Sequence, residues 1–340
     1  MPFTILYPDS RTVELDLERE VTGPDAVFLN PHANRFDAIE LSAWESCDAI
    51  IVARVPIDAK AVAHLKRARI VVRNGVGFDS VDLKACGAAG IAVCNVPDYG
   101  TTDVADTALA MMLTFARGTA ALDAALHADL KGGWLPMHNV TARRLRGACF
   151  GVIGFGRIGT AAALRARAFG MDIAFYDPFL LNGAELSFGF TRACTLAELL
   201  GRADVVTIHA PLTSDTRAMI NESAVAAMKP GAYLINTARG PICDTGALLA
   251  GLKSGKLAAV GLDVLPKEPA APDDPLVAAW QANEPWIRGR MLLNPHAGFY
   301  SPNSLVDLRR KTIETAYNYL RDGTLANCVN AEYLKQPRSK

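Results

Sequence analysis

Three short segments in the second half of the chain hold residues that could move a proton between the protein and a ligand. Arg239, Glu268 and His296 each follow closely on an apolar run that predicts a β-strand. A histidine gives or takes a proton near neutral pH, and a carboxylate on its far ring nitrogen fixes the tautomer. An arginine supplies a fixed positive charge and two parallel donors for a carboxylate. Together these residue types suit acid–base chemistry on a small organic acid.

The predicted strands before these segments cover residues 233–235, 258–262 and 291–293. In an open parallel sheet the carboxyl ends of the strands converge on a ligand crevice. Taken singly, each residue has an ordinary explanation: a packed core or turn histidine, an arginine in a surface ion pair, a solvated loop glutamate. The joint position after three strands is what predicts a shared site.

A glycine-rich turn lies upstream of these strands. The apolar run 149–153 enters the motif G-F-G-R-I-G, a helix-forming run leaves it, and the apolar run 171–176 then ends on Asp177. Gly154 would permit the tight turn, Gly156 would let a pyrophosphate approach the backbone, and Gly159 would let the helix lie close to the strand. A plain turn in an α/β protein is the alternative, but the flanking elements favour a dinucleotide site.

The helix N-terminus at Arg157 and Ile158 would offer N–H groups and a positive dipole end to the phosphates. Asp177 can accept hydrogen bonds from both ribose hydroxyls and would repel a 2′-phosphate. Residues 178–181, P-F-L-L, supply no arginine for such a phosphate. The sequence therefore predicts NAD as the cofactor rather than NADP.

Apolar strand candidates alternate with helical segments through most of the chain, which predicts an α/β fold with parallel sheets. Four candidates, at residues 4–7, 49–52, 70–72 and 91–94, precede the glycine turn. A glycine fingerprint normally opens its own domain, so these strands require a separate α/β domain. One long helix over residues 107–122 would connect the two. A last helix is predicted to begin with Ser301 as N-cap, with Val306, Ile313, Tyr317 and Leu320 on one face.

A turn in the first half, Arg73 to Asp79, follows one of these strands. Its two glycines would let the N–H groups of Val76 and Gly77 point at an anion. An ordinary strand-to-helix turn explains the same residues equally well.

Bulk composition excludes several classes of function. The 340 residues include 35 basic and 35 acidic side chains, so nothing points to direct nucleic-acid binding. No apolar run reaches the length of about 18 residues that a membrane span needs, and the N-terminus reads as a strand, not a signal peptide.

An odd number of widely spaced cysteines argues against a disulfide framework or a metal site and favours a reducing cytoplasm. The cysteines are Cys47, Cys86, Cys94, Cys149, Cys194, Cys243 and Cys328.

These segments together resemble the D-isomer-specific 2-hydroxyacid dehydrogenase family from Asp48 onward. The motifs are R-N-G-V-G-F-D, G-F-G-R-I-G, H-A-P-L-T, N-T-A-R-G, L-D-V-L-P-K-E-P and N-P-H-A-G, in the family's order. The branch of C-terminal-binding proteins is the most similar, through F-Y-D-P, H-A-G-F-Y-S and N-C-V-N. The resemblance implies two Rossmann-like or flavodoxin-like domains: a discontinuous substrate domain at 1–100 plus 300–340, and an inserted NAD domain at 101–299. It also implies a homodimer.

The resemblance further implies roles for individual residues. His296 would be the acid/base, Glu268 its partner and Arg239 the substrate-binding residue. Residues implied to line the cofactor are His209, Ala210, Pro211, Thr216, Thr237, Ala238 and Asp263, the last toward the nicotinamide carboxamide. Residues implied to contact substrate are Arg54, Arg73, Val76, Gly77 and Phe299. Relatives in that branch have tryptophan at the position of Phe299, so the pocket floor is expected to be aromatic but smaller.

The expected activity is NAD-dependent interconversion of a D-2-hydroxy acid and its 2-oxo acid. One alternative is an NAD(H)-sensing corepressor with vestigial catalysis, although residues 1–47 match the corepressors poorly. The other is a phosphoglycerate- or glycerate-type dehydrogenase, because Arg54 and Arg73 leave room for an extra anionic group on the substrate.

Overall fold

Two all-parallel sheets organise the chain in a computed structural model that describes residues 1–10 and 12–338. Each sheet belongs to its own compact unit. Unit 1 comprises Met1–Gly100 and Ser301–Lys340, and unit 2 comprises Thr101–Tyr300. The α/β class and the parallel sheets expected from the alternating apolar runs are therefore confirmed.

The sheet of unit 1 has five strands in the described residues, in the order β2-β1-β3-β4-β5. They are β1 Phe3–Leu6, β2 Ala26–Leu29, β3 Ala49–Val52, β4 Ile70–Arg73 and β5 Ala92–Cys94. The central strands are buried on both faces, as parallel sheets covered by helices usually are. The edge strand β2 was not predicted; it has only four residues, and Val27 in it is exposed.

The sheet of unit 2 has seven strands in the described residues, in the order β12-β11-β10-β9-β6-β7-β8. They are β6 Cys149–Ile153, β7 Asp172–Tyr176, β8 Thr191–Arg192, β9 Val205–Ile208, β10 Ala232–Asn236, β11 Leu257–Leu262 and β12 Met291–Leu293. The strand order reverses between β6 and its two neighbours, β7 and β9. Such a reversal opens a crevice at the carboxyl ends of the strands.

Helices cover the faces of both sheets. In chain order they are α1 Asp16–Thr22, α2 Leu41–Ser46, α3 Ala59–His64, α4 Leu83–Ala88, α5 Thr101–Arg117, α6 Thr119–Ala128, α7 Arg157–Ala168, α8 Ala184–Phe188, α9 Leu196–Arg202, α10 Glu222–Ala227, α11 Thr245–Ser254, α12 Pro275–Gln281 and α13 Pro302–Asp322. Single 3-10 turns lie at Gly23–Asp25, Phe36–Ala38, Pro136–His138 and Gly240–Ile242.

The predicted helix over residues 107–122 is wrong as one element. Gly118 has a left-handed backbone with φ of 64°, and it separates α5 from α6. No single helix in the described part of the chain is long and apolar enough to cross a membrane, although α5 and α6, bent by 54°, would be so together. One face of α5 is instead buried in the core around the larger sheet.

Helix α13 packs on the sheet of unit 1. The Ser301 side chain accepts the N–H of Ser304, which confirms the predicted N-cap. Ile313 and Leu320 are fully buried against the five-stranded sheet, but Val306 is 47% exposed, so the predicted apolar face is not buried along its whole length. Val306 lies in the first helical turns, outside the apolar cluster that α13 shares with the sheet.

Candidate active site at the carboxyl ends of the larger sheet

The loops that follow β10, β11 and β12 meet at one edge of the larger sheet. A Cβ atom on Gly240 would lie 1.9 Å from the Leu265 carbonyl carbon, so the first two loops touch through their backbones. The Asp263 carboxylate accepts the N–H groups of Ala297 and Gly298, both at 2.9 Å. The second and third loops are thereby joined by a buried carboxylate, and all three loops form one structure.

His296 and Glu268 form the pair that the sequence predicted. The His296 Nδ1 atom lies 2.7 Å from Glu268 Oε2, and the N–H of Leu265 donates to the other carboxylate oxygen at 3.1 Å. About a third of each side chain is exposed, 32% for the histidine and 33% for the glutamate. The imidazole is thus oriented by a carboxylate that is itself held in place.

Burial of the Glu268 carboxyl acts to raise its pKa. The hydrogen bond and charge of His296, the Leu265 N–H and the charge of Arg239 together outweigh burial, so the pKa lies below its ordinary value. The carboxylate is therefore ionised throughout the neutral range, as an orienting partner for a histidine must be.

The backbone of His296 is left-handed, with φ of 54°. This conformation is uncommon for a residue with a side chain, and it concentrates at functional sites. The His296 N–H donates to the Asp263 carbonyl at 2.8 Å, which holds the turn. The Phe299 ring meets the imidazole edge-on, with ring centroids 6.5 Å apart. The position of the imidazole is thus set from its backbone, its far nitrogen and its face.

Arg239 follows β10, and its loop is fixed by a buried side chain at the end of that strand. The Asn236 side chain accepts the Ala238 N–H at 3.0 Å and donates to the Arg239 carbonyl at 2.9 Å. The Arg239 guanidinium donates to the Ala238 carbonyl at 2.7 Å and contributes to the lowered pKa of Glu268. Sequence reasoning missed Asn236 as a positioning residue; the signal was a polar residue at the end of a buried strand.

Replacement of Glu268 by glutamine should reduce the loss of stability that the wild-type protein shows as the pH falls into the acid range. The pKa of the Glu268 carboxyl in the folded protein lies below its unfolded value of about 4.3. The ionised carboxylate therefore adds to the free energy of unfolding; this addition is complete above that pH and is lost as the pH falls through the folded pKa. Thermal unfolding midpoints between about pH 3 and 6 measure it. Glu14→Gln, at an exposed glutamate, is the matched control. Parallel acid limbs for E268Q and wild type would contradict the prediction.

The glycine turn after β6 has the geometry of a phosphate cradle. Gly154 has a φ of 85°, and a Cβ atom there would lie 2.7 Å from the Ala210 backbone nitrogen. On Gly159 a Cβ atom would lie 2.1 Å from the Gly154 carbonyl oxygen, so the glycine lets α7 pack closely. At Gly156, the N-cap of α7, a Cβ atom would meet nothing within 4 Å. Arg157 and Ile158 form the first turn of α7, whose N–H groups have no acceptor within the helix.

Gly156→Ala should separate folding from cofactor binding. The unliganded protein has open space for the methyl group, so its thermal midpoint should stay within about 2 °C of wild type. NADH affinity should fall about tenfold or more, because the methyl group lies where a pyrophosphate approaches the backbone. Calorimetric titration with NADH measures it. Gly154→Ala is the contrasting variant, and the thermal midpoint of its unliganded form should drop. An unchanged NADH affinity in Gly156→Ala would contradict the assignment of this turn to cofactor binding.

Asp177 links the end of β7 to the glycine turn. Its carboxylate accepts the N–H of Phe155 at 2.9 Å and the N–H of Phe179 at 3.0 Å. Each carboxylate oxygen accepts more than one hydrogen bond, so capacity for ribose hydroxyls is left. The carboxylate is thus held next to the turn before any ligand binds.

Arg192 fixes the loop after Asp177, and the sequence analysis did not identify it. Its side chain is largely buried, and its guanidinium donates to main-chain carbonyls and lies 3.7 Å from the Glu185 carboxylate. The carbonyls belong to Asp177 (3.0 Å), Leu180 (2.8 Å) and Leu181 (3.1 Å). Residues 178–181 contain no arginine, but Arg192 lies beside this loop all the same. Only the pairing of β7 with β8 brings Arg192 there, so no local motif could reveal it.

Two buried polar atoms at the ends of adjacent strands have no hydrogen-bond partner among the described residues. They are His209 Nδ1, after β9, and Thr237 Oγ1, after β10. The other ring nitrogen of His209 bonds to Thr207 at 3.0 Å, and burial lowers the pKa of the imidazole to about 3, so the ring is neutral. Together with the open space at Gly156, these atoms fit a dinucleotide laid along the strand ends.

The remaining predicted cofactor residues border the same strand ends. Ala210 and Pro211 follow β9, and the Thr216 hydroxyl donates to the Pro211 carbonyl at 2.7 Å. Ala238 follows β10, as described above. Asp263 was expected to face a nicotinamide carboxamide, but its two carboxylate oxygens already accept the N–H groups of the histidine loop. Its action on the cofactor stays a prediction.

The predicted substrate residues of unit 1 follow β3 and β4. The Asp9 carboxylate accepts the N–H groups of residues 53–55, including Arg54. The Arg73 guanidinium donates to the Asn74 carbonyl at 2.6 Å and lies over Gly75, whose φ is 144°.

In the turn that contains Val76 and Gly77, Gly75 has a positive φ and Gly77 does not. The Val76 carbonyl accepts the Asn95 side chain at 2.6 Å, which fixes the turn. Binding of substrate by these residues, and by Arg54 and Arg73, stays a prediction. Within the described residues, no group of three or more metal-ligating side chains is assembled.

Fold and site together define a nicotinamide-dinucleotide oxidoreductase. The family model described as "D-isomer specific 2-hydroxyacid dehydrogenase, NAD binding domain" matches residues 109–298. This chain belongs to the D-isomer-specific 2-hydroxyacid dehydrogenase family, and unit 2 holds its NAD-binding domain.

Curated relatives and a solved structure agree with this placement. The chain is 35% identical over 293 residues to glyoxylate reductase of Korarchaeum cryptofilum, covering 86% of this chain and 85% of that protein. It is 32% identical over 296 residues to C-terminal-binding protein 1 of Caenorhabditis elegans, covering 85% of this chain but only 40% of that longer protein. D-lactate dehydrogenase from Aquifex aeolicus, solved with NAD and lactic acid, superposes with a TM-score of 0.83 at 28% identity, over 94% of this chain and 96% of that one. The resemblance to both the family and its C-terminal-binding-protein branch is supported.

Proposed function

We propose that this chain reduces a small 2-oxo acid to the D-2-hydroxy acid with NADH and also catalyses the reverse oxidation. The nicotinamide supplies or accepts the hydride when the cofactor is bound. Because the His296 Nδ1–H is directed to Glu268, its Nε2 atom is the one left to face a ligand. In reduction, Nε2–H gives its proton to the substrate carbonyl oxygen; in oxidation, Nε2 takes the hydroxyl proton.

The other two residues support this proton transfer. The Glu268 carboxylate stabilises the imidazolium that forms when Nε2 is protonated and keeps the ring in the productive tautomer. Arg239 binds the substrate carboxylate through two parallel donors. Its backbone is fixed by Asn236, so little ordering is needed when substrate arrives. The single observation that carries the proposal is the 2.7 Å contact between the imidazole and the glutamate.

A panel of 2-oxo acids with NADH, followed at the nicotinamide absorbance, tests the proposal. The relatives' names make glyoxylate and pyruvate the first members of the panel. Hydroxypyruvate and 3-phosphohydroxypyruvate test the glycerate- and phosphoglycerate-type alternative, which involves the same chemistry on a more polar acid. The expected product is the D-isomer, identified by chiral chromatography. No turnover of any member by protein that binds NADH would contradict the enzyme proposal.

The second candidate is an NAD(H)-sensing binding protein of the corepressor type. The identity of 32% to C-terminal-binding protein 1 favours it. Capture of a transcription factor whose affinity depends on NADH, together with no reduction of any 2-oxo acid, would support this alternative. The complete set of Arg239, Glu268 and His296 supports the enzyme instead.

We also propose that NAD is preferred over NADP. The support is Asp177, which is held at the end of β7 beside the glycine turn, and Arg192, whose guanidinium is occupied by three carbonyls. The ratio of kcat/KM for NADH to that for NADPH should exceed about ten, because a 2′-phosphate would lie against a carboxylate. A ratio close to one would contradict this preference.

A homodimer is the proposed assembly, and the segment after α6 supports it. Leu130, Trp134, Met137 and Val140 in this segment are each more than 60% exposed. Exposed apolar patches of this kind mark protein interfaces. Sedimentation velocity should give a dimer for wild type and a larger monomer fraction for Trp134→Asp. Leu186→Asp, at another exposed apolar side chain, is the control, and a monomeric wild type would contradict the proposal.

A cytoplasmic location is proposed from the seven free thiols, five of which are buried, since reducing compartments preserve them. Cell fractionation with an antibody tests it. Direct nucleic-acid binding is not expected, because the formal net charge is zero.

A further inference from the structure

Cys94, the last residue of β5, lies directly opposite Cys328 in an isolated antiparallel bridge. The flanking hydrogen bonds run from the Val329 N–H to the Val93 carbonyl at 2.8 Å and from the Asn95 N–H to the Asn327 carbonyl at 3.3 Å. This pattern makes the two cysteines a non-hydrogen-bonded pair, whose Cα atoms lie about 4.5 Å apart. Disulfides span Cα separations of about 4.4–6.8 Å, so the two sulfur atoms are within bonding reach.

The two thiols have different surroundings. Cys94 is fully buried in the apolar cluster under α13, whereas Cys328 is partly exposed. The hydrogen bond from Cys94 lowers the pKa of the Cys328 thiol to about 6, while the same bond and burial raise that of Cys94. Tyr319 belongs to the same apolar cluster, and the Arg69 guanidinium lies over its ring. The accessible cysteine of the pair, Cys328, is therefore also the one that ionises more readily to the thiolate.

A small cleft lies beside this pair in unit 1. Its volume is about 260 Å³, and its lining includes Val96 and Asn327, which lie near Cys94 and next to Cys328. Lys311 and Asp98, an ion pair at 2.8 Å, lie in the same lining. Cys328 itself is partly exposed to solvent, so a small solute can reach its sulfur.

We propose that Cys94 and Cys328 are a peroxide-sensitive modification site that closes to a reversible cross-strand disulfide. The Cys328 thiolate attacks one peroxide oxygen; an S–O bond forms, the O–O bond breaks, and the hydroxide released takes a proton to become water. The Cys94 sulfur then attacks the Cys328 sulfur, so that the S–S bond forms and the S–O bond breaks. The second water leaves with the Cys94 proton, and two sulfurs have given two electrons to one peroxide.

The closed disulfide would fasten the segment after α13 to β5. In the reduced chain this segment is held at that edge by hydrogen bonds, including those of Asn330, which accepts the Val93 N–H at 2.8 Å and donates to the Ile91 carbonyl at 3.0 Å. Oxidation should therefore slow amide exchange in residues 324–338 and raise the thermal midpoint by about 5 °C or more. Dithiothreitol should reverse both effects.

Peptide mass spectrometry under non-reducing conditions tests the proposal on the full-length protein. After hydrogen peroxide and alkylation, the peptides containing residues 94 and 328 should be joined and lighter by two hydrogen atoms. Cys328→Ser should abolish the cross-link, and Cys94→Ser should leave a sulfenic acid at Cys328 that dimedone traps. Cys194→Ser, at the exposed thiol, should leave the cross-link unchanged.

A second readout does not need peroxide. The pH midpoint for alkylation of Cys328 should lie near 6 in wild type and should rise in Cys94→Ala, which lacks the donor. Peroxide treatment that oxidises Cys194 but leaves Cys94 and Cys328 unlinked would overturn the proposal. So would a cross-link that joins either cysteine mainly to another partner.

Discussion

Turnover of a 2-oxo acid should fall by about 10²- to 10⁴-fold when His296 is replaced by alanine or asparagine, the range that loss of a general acid–base group produces. NADH affinity should stay within about threefold of wild type, because the cofactor residues of the glycine turn and the β7 end are untouched. Steady-state kinetics and calorimetric titration with NADH measure the two quantities.

The asparagine variant separates chemistry from backbone strain. His296 has a φ of 54°, and asparagine tolerates this conformation better than alanine does. His296→Asn should therefore keep the wild-type thermal midpoint more closely and still lose turnover. His127→Asn, at an exposed histidine of α6, is the control. Turnover within about threefold of wild type in both His296 variants would remove the acid–base assignment.

Arg239→Gln should lower kcat/KM for the 2-oxo acid by about 10²- to 10⁴-fold. A hydrogen bond to a charged group contributes about 1.5–3 kcal/mol, two parallel bonds are lost, and each 1.4 kcal/mol is about tenfold. Arg239→Lys keeps the charge but not the fork, so its loss should be smaller. Most of the effect should appear in KM, since the carboxylate is bound before and during proton transfer.

The control for this prediction is Arg217→Gln, at an exposed arginine after β9. Arg217→Gln removes one positive charge, as Arg239→Gln does, but leaves the site intact. A loss in R239Q no greater than in R217Q would contradict the role of Arg239 as the carboxylate-binding residue. Affinity for NADH, measured in parallel, shows whether the loss belongs to the acid.

The apolar runs predicted the central, buried strands of both sheets. The runs of β6 and β11 are apolar along their length because both faces of the parallel sheet are covered. The edge strand β8 has two polar residues and so lacks this signal, whereas β2 has the apolar run A-V-F-L, which the sequence analysis did not identify as a strand. Gly118 illustrates a second failure: the alanine-rich composition continues across it, but its left-handed backbone ends α5.

The His296–Glu268 contact could be predicted, because both follow strands of one sheet and their side-chain types match. The residues that hold the loops could not be identified in the same way. Asn236 bonds to main-chain groups of its own loop and Asp263 to those of the next loop, and these contacts depend on how the loops are folded rather than on a spacing. The turn through Gly75 and Gly77 likewise depends on backbone angles that the residue types permit but do not determine.

The anchoring of the Asp177 loop by Arg192 limits how this enzyme could be re-engineered. Residues 177–181 look like an exchangeable cassette, yet three of their carbonyls are placed by a side chain from a strand more than ten positions downstream. A transplant of that cassette from a dehydrogenase with the opposite cofactor choice would arrive without its own support. A working donor fragment must therefore extend through Thr191–Arg192, so that loop and strand are inherited together.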